Sequence, residues 1–143
     1  MLVPTRAPSS APPPPLDLDV SGVLEDAAHY PGGSAEGRLL PRSGDEVSSI
    51  LRGGGRTLVI GAQSSLTGGA TPFGDRVICT ARLDHVRISG DHVHAGAGAT
   101  LQSIQDQLRA LGRWLPPVPT YLGAFSGGAV ATCAAGAATF KYG

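Results

Sequence analysis

The sequence predicts a single domain that mixes helices and strands, of the α/β or α+β class. Short apolar runs alternate with stretches that carry helix start and stop signals, which is typical of such domains. The 143 residues suffice for one domain, and 21 glycines favour tight turns over a helical bundle. The 11 basic and 11 acidic residues balance, so charge indicates neither nucleic acid nor a membrane surface as a partner.

The first 22 residues are predicted to be a disordered, proline-rich leader. Residues 12–15 are all proline, which favours an extended chain, and a start codon assigned too far upstream would explain the leader equally well. The N-terminus lacks the apolar core of a signal peptide, and no stretch approaches the ~18–20 apolar residues of a membrane span. Cys79 and Cys133 fit no zinc spacing and are interpreted as small buried residues in a reducing compartment. We therefore expect a cytoplasmic protein.

The first helix is predicted to start at Ser43, which forms a capping box with Glu46. Its apolar face carries Val47, Ile50 and Leu51, and the glycines that begin at residue 53 end it. A later helix is predicted from the N-cap Thr100 to Leu111, with Gly112 at C′. Its apolar stripe consists of Leu101, Ile104, Leu108 and Leu111. The predicted strands cover residues 57–60, 77–80, 86–89 and 92–97.

Residues 61–69, with the sequence GAQSSLTGG, follow directly on an apolar strand. Glycine permits close approach of backbone to a ligand, and successive N–H groups in such a turn form an anion site. A second small-residue segment, residues 123–132, is predicted to begin a helix with Ser126 as N-cap, where Gly127 and Gly128 leave the first amides uncovered. Together the two segments suit a diphosphate. The alternatives are a connecting loop for the first and close helix packing for the second.

Several other sites are excluded or disfavoured by the sequence. Residues 61–69 contain no lysine, as a P-loop requires, and the GAGATL stretch at residue 96 lacks the third glycine of a Rossmann fingerprint. Ser126 is followed by neither an acid nor a histidine, which argues against a hydrolase triad. His92 and His94 alternate along one strand without a third metal ligand nearby. We predict neither a catalytic residue nor a metal site in this chain.

From about residue 24 to residue 143, the chain resembles the p-cresol methylhydroxylase-type (PCMH-type) FAD-binding domain of the vanillyl-alcohol oxidase flavoprotein family. The resemblance is to the branch of D-lactate dehydrogenases and the glycolate oxidase flavoprotein subunit. The features that match in order are the PRSGDEV helix start, the GAQSSLTGG loop, ARLD at 81–84, VHAGAG at 93–98, the helix at 101–111, SGGAVAT at 126–132 and KYG at 141–143. The implied fold is α+β: the first α/β subdomain of the FAD-binding domain plus the beginning of the second, truncated. Residues 23–143 would be the N-terminal part of that domain, with the substrate domain absent.

The resemblance also implies which residues contact the cofactor. In the first loop these are Gly61, Ala62, Gln63, Ser64, Ser65, Leu66 and Gly68, and in the second Gly123, Ser126, Gly127, Gly128 and Thr132. The chain departs from the family pattern at Ala62 and Ala135, where glycine is common, and at Cys133, where asparagine is common. Members that attach the flavin covalently through the first loop use a histidine, and this loop has none. Non-covalent FAD is therefore expected.

The implied function is FAD binding, as the N-terminal part of an FAD-dependent oxidoreductase acting on a 2-hydroxy acid or related alcohol. This stretch of chain alone is expected to be inactive, and a small-molecule substrate to bind only with the missing C-terminal part. Two alternatives remain: a non-catalytic truncated remnant, or a stand-alone FAD-binding subunit whose catalytic half is a separate chain. We expect neither a nucleic-acid partner nor a membrane span.

Overall fold

The computed structural model describes residues 11–116 and 118–142, so the first ten residues of the predicted leader and Gly143 of the KYG sequence lie outside the described residues. The mixed helix and strand architecture confirms the predicted class. In the described part of the chain, no helix combines the length and the apolar character needed to cross a membrane. In chain order the elements are β1 (Ser34–Leu39), α1 (Gly44–Arg52), β2 (Thr57–Ile60), β3 (Phe73–Cys79), a 3-10 turn (Thr80–Arg82), β4 (Val86–Ser89), β5 (His92–Ala95), α2 (Leu101–Arg109), α3 (Ser126–Ala131) and α4 (Thr139–Tyr142).

A three-stranded parallel sheet organises the first half of the domain. Its strand order is β1-β3-β2, with α1 connecting β1 to β2 and residues 61–72 connecting β2 to β3. Parallel strands need such long crossovers, and their carboxyl ends meet at one edge of the sheet. In open α/β sheets, ligands bind outside this edge. Residues 61–69 begin there.

The central strand β3 supplies the core on both faces of the sheet. Val77 and Ile78 are almost completely buried, and successive strand residues face opposite sides. The two clusters around them are Val23, Ile60, Val77 and Cys79 on one side, and Leu39, Ile50 and Ile78 on the other. The strands that end at the glycine-rich loop are therefore packed on both faces of the sheet.

Helix α1 starts as predicted. The Ser43 hydroxyl accepts a hydrogen bond from the Glu46 N–H, and the Glu46 carboxylate accepts one from the N–H of Arg42. Of the predicted apolar face, Ile50 is buried, whereas Leu51 is 54% exposed. The apolar face of this nine-residue helix that the sheet covers is therefore narrower than the three predicted residues, because the helix contacts the sheet along one side only.

The β4–β5 hairpin and helix α2 form a second, smaller core. Ile104 and Leu108 of α2 pack with Ala99 against the hairpin. Thr100 caps the helix as predicted, accepting a hydrogen bond from the Ser103 N–H at 3.0 Å. The predicted residue Gly112 also lies in the left-handed region, with φ +67°. Its N–H and that of Arg113 bond back to Arg109 and Leu108, the paired bonds of a Schellman motif. Leu111, placed on the buried stripe by the sequence, lies beyond the helix and is exposed.

Two strand boundaries differ from the prediction. Strand β3 begins at Phe73, four residues before the predicted start, and ends at Cys79, before Thr80 enters the 3-10 turn. Its first half is polar, so it lacks the apolar signal, and pairing with β1 stabilises it instead. Strand β5 ends at Ala95 because the following residues turn toward α2.

Residues 11–22, the described part of the predicted disordered leader, contact the sheet. Asp17 and Arg38 exchange backbone hydrogen bonds of 2.8 and 2.7 Å. Their side chains form an ion pair at 2.6 Å, and the hydrogen bond from the Arg38 guanidinium lowers the pKa of the Asp17 carboxyl. Ala11 accepts a hydrogen bond from the Ser49 hydroxyl. Backbone pairing thus orders a segment that composition alone assigns to an extended, unpaired chain.

Candidate functional site

Unsatisfied backbone donors mark the loop after β2. Within the described residues, none of the six N–H groups of residues 61–66 donates to a protein acceptor. Most of these residues are only half-exposed. Because partly buried N–H groups in proteins are almost always paired, such a run indicates a bound anion or ordered water. These free donors lie in the segment for which the sequence predicts an anion site, and that site stays a prediction.

The second predicted loop differs from the expectation at its helix start. Phe125, not Ser126, is the N-cap residue of α3, and it makes no side-chain cap. The N–H groups of Ser126 and Gly127 donate to the carbonyls of Ala99 and Ala97 at 2.8 and 3.0 Å. The prediction of uncovered first amides is therefore wrong for these two residues, because the turn after β5 supplies their acceptors. Of the amides of α3, only the third, that of Gly128, has no acceptor among the described residues.

The two loops meet at the edge of the sheet. A Cβ placed on Gly61 would lie 3.5 Å from the Cβ of Phe125, an ordinary contact distance, so the start of the first loop and Phe125 of the second lie side by side. The Thr80 hydroxyl donates to the carbonyl of Ile60 at 3.2 Å, which links the carboxyl ends of β3 and β2. The sequence predicted one site from these two segments, and the structure brings them together.

Two glycines allow the turn after β5 to pack this closely. A Cβ on Gly98 would overlap the carbonyl oxygen of Thr80 and lie 2.8 Å from its carbonyl carbon. A Cβ on Gly127 would lie 2.7 Å from the Cβ of Ala97. The Ser126 hydroxyl donates to the carbonyl of Gly96 at 2.7 Å and fixes the same junction. Close backbone contact thus sets the position of α3 relative to the first loop.

The remaining predicted site residues differ in their surroundings. Leu66 is 78% exposed, and Gly68, with φ +76°, lies beside the ring of Tyr30. Gly123 is half-buried next to Tyr121, and the Thr132 hydroxyl donates to the carbonyl of Gly128 at 2.8 Å. The Gln63 side chain is directed into the protein rather than outward, donating to the carbonyls of Val23 and Ala70. Its N–H remains unpaired.

Cys133 follows α3 in the left-handed region, with φ +49°. The N–H groups of Cys133 and Ala134 bond back to Val130 and Ala129, so Cys133 is the C′ residue of a Schellman motif. Glycine and asparagine are preferred in the left-handed region, which is a physical reason for the asparagine that is common at this position in the family the sequence resembles. Cys133 is exposed, so the interpretation of both cysteines as buried is wrong for this residue.

An apolar cavity of about 800 Å³ lies between β5, α2 and α3. Its walls include Leu101, Ile104 and Ala129, together with Ser126 and Gly127, but none of residues 61–69. The unpaired amides of residues 61–66 therefore lie outside this cavity. Elsewhere in residues 11–116 and 118–142, no group of three histidine, cysteine or acidic side chains is arranged to hold a metal ion.

One buried residue of this region, Asp26, was not predicted from the sequence. Asp26 is only 2% exposed, and its carboxylate accepts hydrogen bonds from the N–H groups of Ala28 and Ala70. From the sequence alone, Asp26 beside Glu25 is interpreted as a helix-end or loop charge. The bond to Ala70 spans 44 positions and leaves no local signal, whereas the bond to Ala28 is an ordinary turn contact.

Comparison with known proteins agrees with this geometry. Residues 35–143 match a family described as FAD binding domain. This chain belongs to that family. The predicted resemblance to PCMH-type FAD-binding domains is thereby confirmed, and so is the α+β fold. A D-lactate dehydrogenase from Archaeoglobus fulgidus is 32% identical over 110 residues, which cover 72% of this chain and 25% of that enzyme.

Solved structures share the fold of this FAD-binding domain. Alkyldihydroxyacetonephosphate synthase superposes with a TM-score of 0.68 at 22% identity, covering 78% of this chain and 23% of that one. A cholesterol oxidase from B. sterolicum superposes with a TM-score of 0.60 at 22% identity, covering 70% of this chain and 21% of the other. The chain therefore spans about a quarter or less of the length of these relatives.

Proposed function

We propose that this FAD-binding domain binds FAD non-covalently, with the diphosphate on the amides of residues 61–66. The observation that carries the proposal is the run of N–H groups at the carboxyl edge of the parallel sheet that have no acceptor in the part of the chain the structure describes. A hydrogen bond to a charged oxygen contributes about 1.5–3 kcal/mol net, so two or three of them give substantial affinity.

The second loop contributes in a different way from the first. Its Gly128 amide is free to donate, whereas Ser126 and Gly127 position α3 through their bonds to the turn after β5. Gly123 and Thr132 complete the proposed contact surface. Support for a non-covalent cofactor comes from the composition of residues 61–69, which include no histidine, cysteine or tyrosine.

We further propose that the chain is part of an FAD-dependent oxidoreductase acting on a 2-hydroxy acid or a related alcohol. One relative is a D-lactate dehydrogenase, and D-lactate is such an acid. When bound, FAD supplies the ring that accepts a hydride from the substrate. Neither residues 61–69 nor residues 123–132 carry a charged side chain, so the two loops bind the cofactor and offer no general base. The same observation favours a second candidate: a cofactor-binding module whose catalytic groups lie on another stretch of protein.

The diphosphate proposal is tested by titrating the purified chain with FAD, ADP and riboflavin. FAD and ADP carry the diphosphate and are expected to compete for one site. Riboflavin lacks it and is expected to bind at least about 100-fold more weakly than FAD, since two lost amide–phosphate bonds are worth about 3 kcal/mol or more. Calorimetry and flavin fluorescence measure both affinities. Equal affinity for riboflavin and FAD, or no FAD binding by the folded chain, would contradict the proposal.

A further inference from the structure

Two side chains, those of Asp26 and Gln63, bond to the backbone of Ala70, the residue that directly follows the first loop. The carboxylate of Asp26 accepts a hydrogen bond from the N–H of Ala70 at 3.4 Å. The side-chain amide of Gln63 donates to the carbonyl of the same Ala70 at 2.9 Å. Both backbone groups of Ala70 are thus bonded, one to each side chain. We refer to Asp26, Gln63 and Ala70 as the loop brace.

The brace also connects the loop to the segment that precedes β1. Gln63 donates a second side-chain hydrogen bond, at 3.0 Å, to the carbonyl of Val23, which is buried in the core. The N–H of Ala27 donates to the backbone carbonyl of Gln63 at 2.9 Å. The other carboxylate oxygen of Asp26 accepts from Ala28 at 3.0 Å. The loop is therefore bonded to residues 23–28 through several independent contacts.

Burial and backbone conformation indicate that these contacts are specific. Asp26 is 2% exposed, and a buried carboxylate is costly unless it is hydrogen-bonded. Gln63 has φ +48°, in the left-handed region that residues other than glycine rarely adopt. Such a conformation persists where surrounding bonds determine it, and it clusters at ligand-binding segments. Here the Gln63 side chain supplies two of those bonds.

We propose that Asp26 and Gln63 are positioning residues for cofactor binding, which fix residues 61–66 with their amides free before FAD arrives. This inference rests on the proposed function of the loop. A loop that must be ordered on binding loses affinity to conformational entropy, and preorganisation removes that loss. The Gln63 side chain then holds the loop in place, in addition to the contact with FAD that is predicted for this residue.

The test compares Gln63→Glu with Gln107→Glu, the same change at an exposed position of α2. In Gln63→Glu, a carboxylate replaces the amide that donates to two carbonyls, so repulsion is expected to release the loop. FAD affinity is expected to fall at least tenfold in Gln63→Glu and to change less than about twofold in Gln107→Glu. Asp26→Asn, with exposed Asp84→Asn as its control, is expected to lose affinity in the same way. The double variant should lose less than the product of the two single effects, because both side chains hold one residue.

Titrations at a temperature where each variant is fully folded separate positioning from overall stability. Global destabilisation lowers apparent affinity only by the unfolded fraction, so it cannot produce a tenfold loss there. Gln63→Leu removes the two donors without adding a charge beside the proposed diphosphate, and its FAD affinity is also expected to fall at least tenfold. A loss in Gln63→Glu alone, with Gln63→Leu binding like the wild type, would reflect charge repulsion and would overturn the inference. Unchanged FAD affinity in the folded Asp26 and Gln63 variants would overturn the inference while leaving the proposed function intact.

Hydrogen exchange in the ligand-free chain supplies a readout that does not depend on FAD. Exchange of the Ala70 amide is expected to accelerate at least tenfold in Asp26→Asn and in Gln63→Glu, with no change at the amides of β3. Unchanged exchange at Ala70 would overturn the inference. If the wild-type chain binds no FAD while the two variants show this accelerated exchange, the failure lies instead in the proposed function.

Discussion

Ser64→Glu is expected to reduce FAD affinity about 100-fold or more. Ser64 lies in the middle of the six residues whose N–H groups have no acceptor in the described protein, and its side chain is half-buried there. A carboxylate at this position stands among donors proposed to bind a diphosphate. Like charges brought together in an interface cost several kcal/mol, and about 2.8 kcal/mol corresponds to a factor of 100.

Ser64→Gln is the matched control, because glutamine has nearly the same size as glutamate and carries no charge. It is expected to bind FAD much more tightly than Ser64→Glu does, and both variants should unfold within about 0.5 kcal/mol of the wild type. The difference between the two affinities should shrink as salt is added, since screening weakens exposed charge repulsion. Equal affinities for Ser64→Glu and Ser64→Gln would contradict an anion site at this loop.

Gly98→Ala is expected to destabilise the domain by about 3 kcal/mol, the upper end of the usual cost of overpacking a core, because the neighbouring atoms are rigid. The added Cβ would overlap the Thr80 carbonyl oxygen and lie 3.1 Å from the carbonyl carbon of Ala81. These are backbone atoms, so no flexible side chain can move aside. Relief requires the turn after β5 to separate from the end of β3.

Gly44→Ala is the control for this substitution. A Cβ on Gly44 meets nothing within 4 Å, and the residue lies in the first turn of α1, where alanine is well tolerated. Denaturant unfolding of both variants gives the free energies directly. The position of α3 beside the first loop depends on the Gly98 contact, so weaker FAD binding should accompany the lost stability. A Gly98→Ala variant as stable as Gly44→Ala would show that this close approach does not occur.

Local signals in the sequence predicted most of the fold. Ser43, Thr100 and Gly112 act through bonds to residues three or four positions away, so their roles follow from short spacings. The run of small residues after β2 likewise predicts an anion loop from its own composition. These features need no knowledge of distant contacts.

Contacts between distant segments were beyond the reach of such signals. Ser126 was expected to cap α3, but the turn after β5 supplies acceptors for its N–H and for its hydroxyl. The early start of β3 depends on pairing with β1, and the leader from residue 11 onward depends on Arg38. Asp26 acts on Ala70, a residue that no periodicity connects to it. In each case a partner far along the chain decides the local structure.

The most direct test of the central claim follows the backbone amides themselves. The ¹⁵N-labelled chain is titrated with FAD and, in parallel, with riboflavin, while amide chemical shifts are recorded. The largest changes with FAD are expected at residues 61–66 and at Gly128, with ADP producing the same changes and riboflavin producing none of comparable size. FAD binding that leaves these amides unchanged, and shifts instead the residues around the apolar cavity between α2 and α3, would contradict the account.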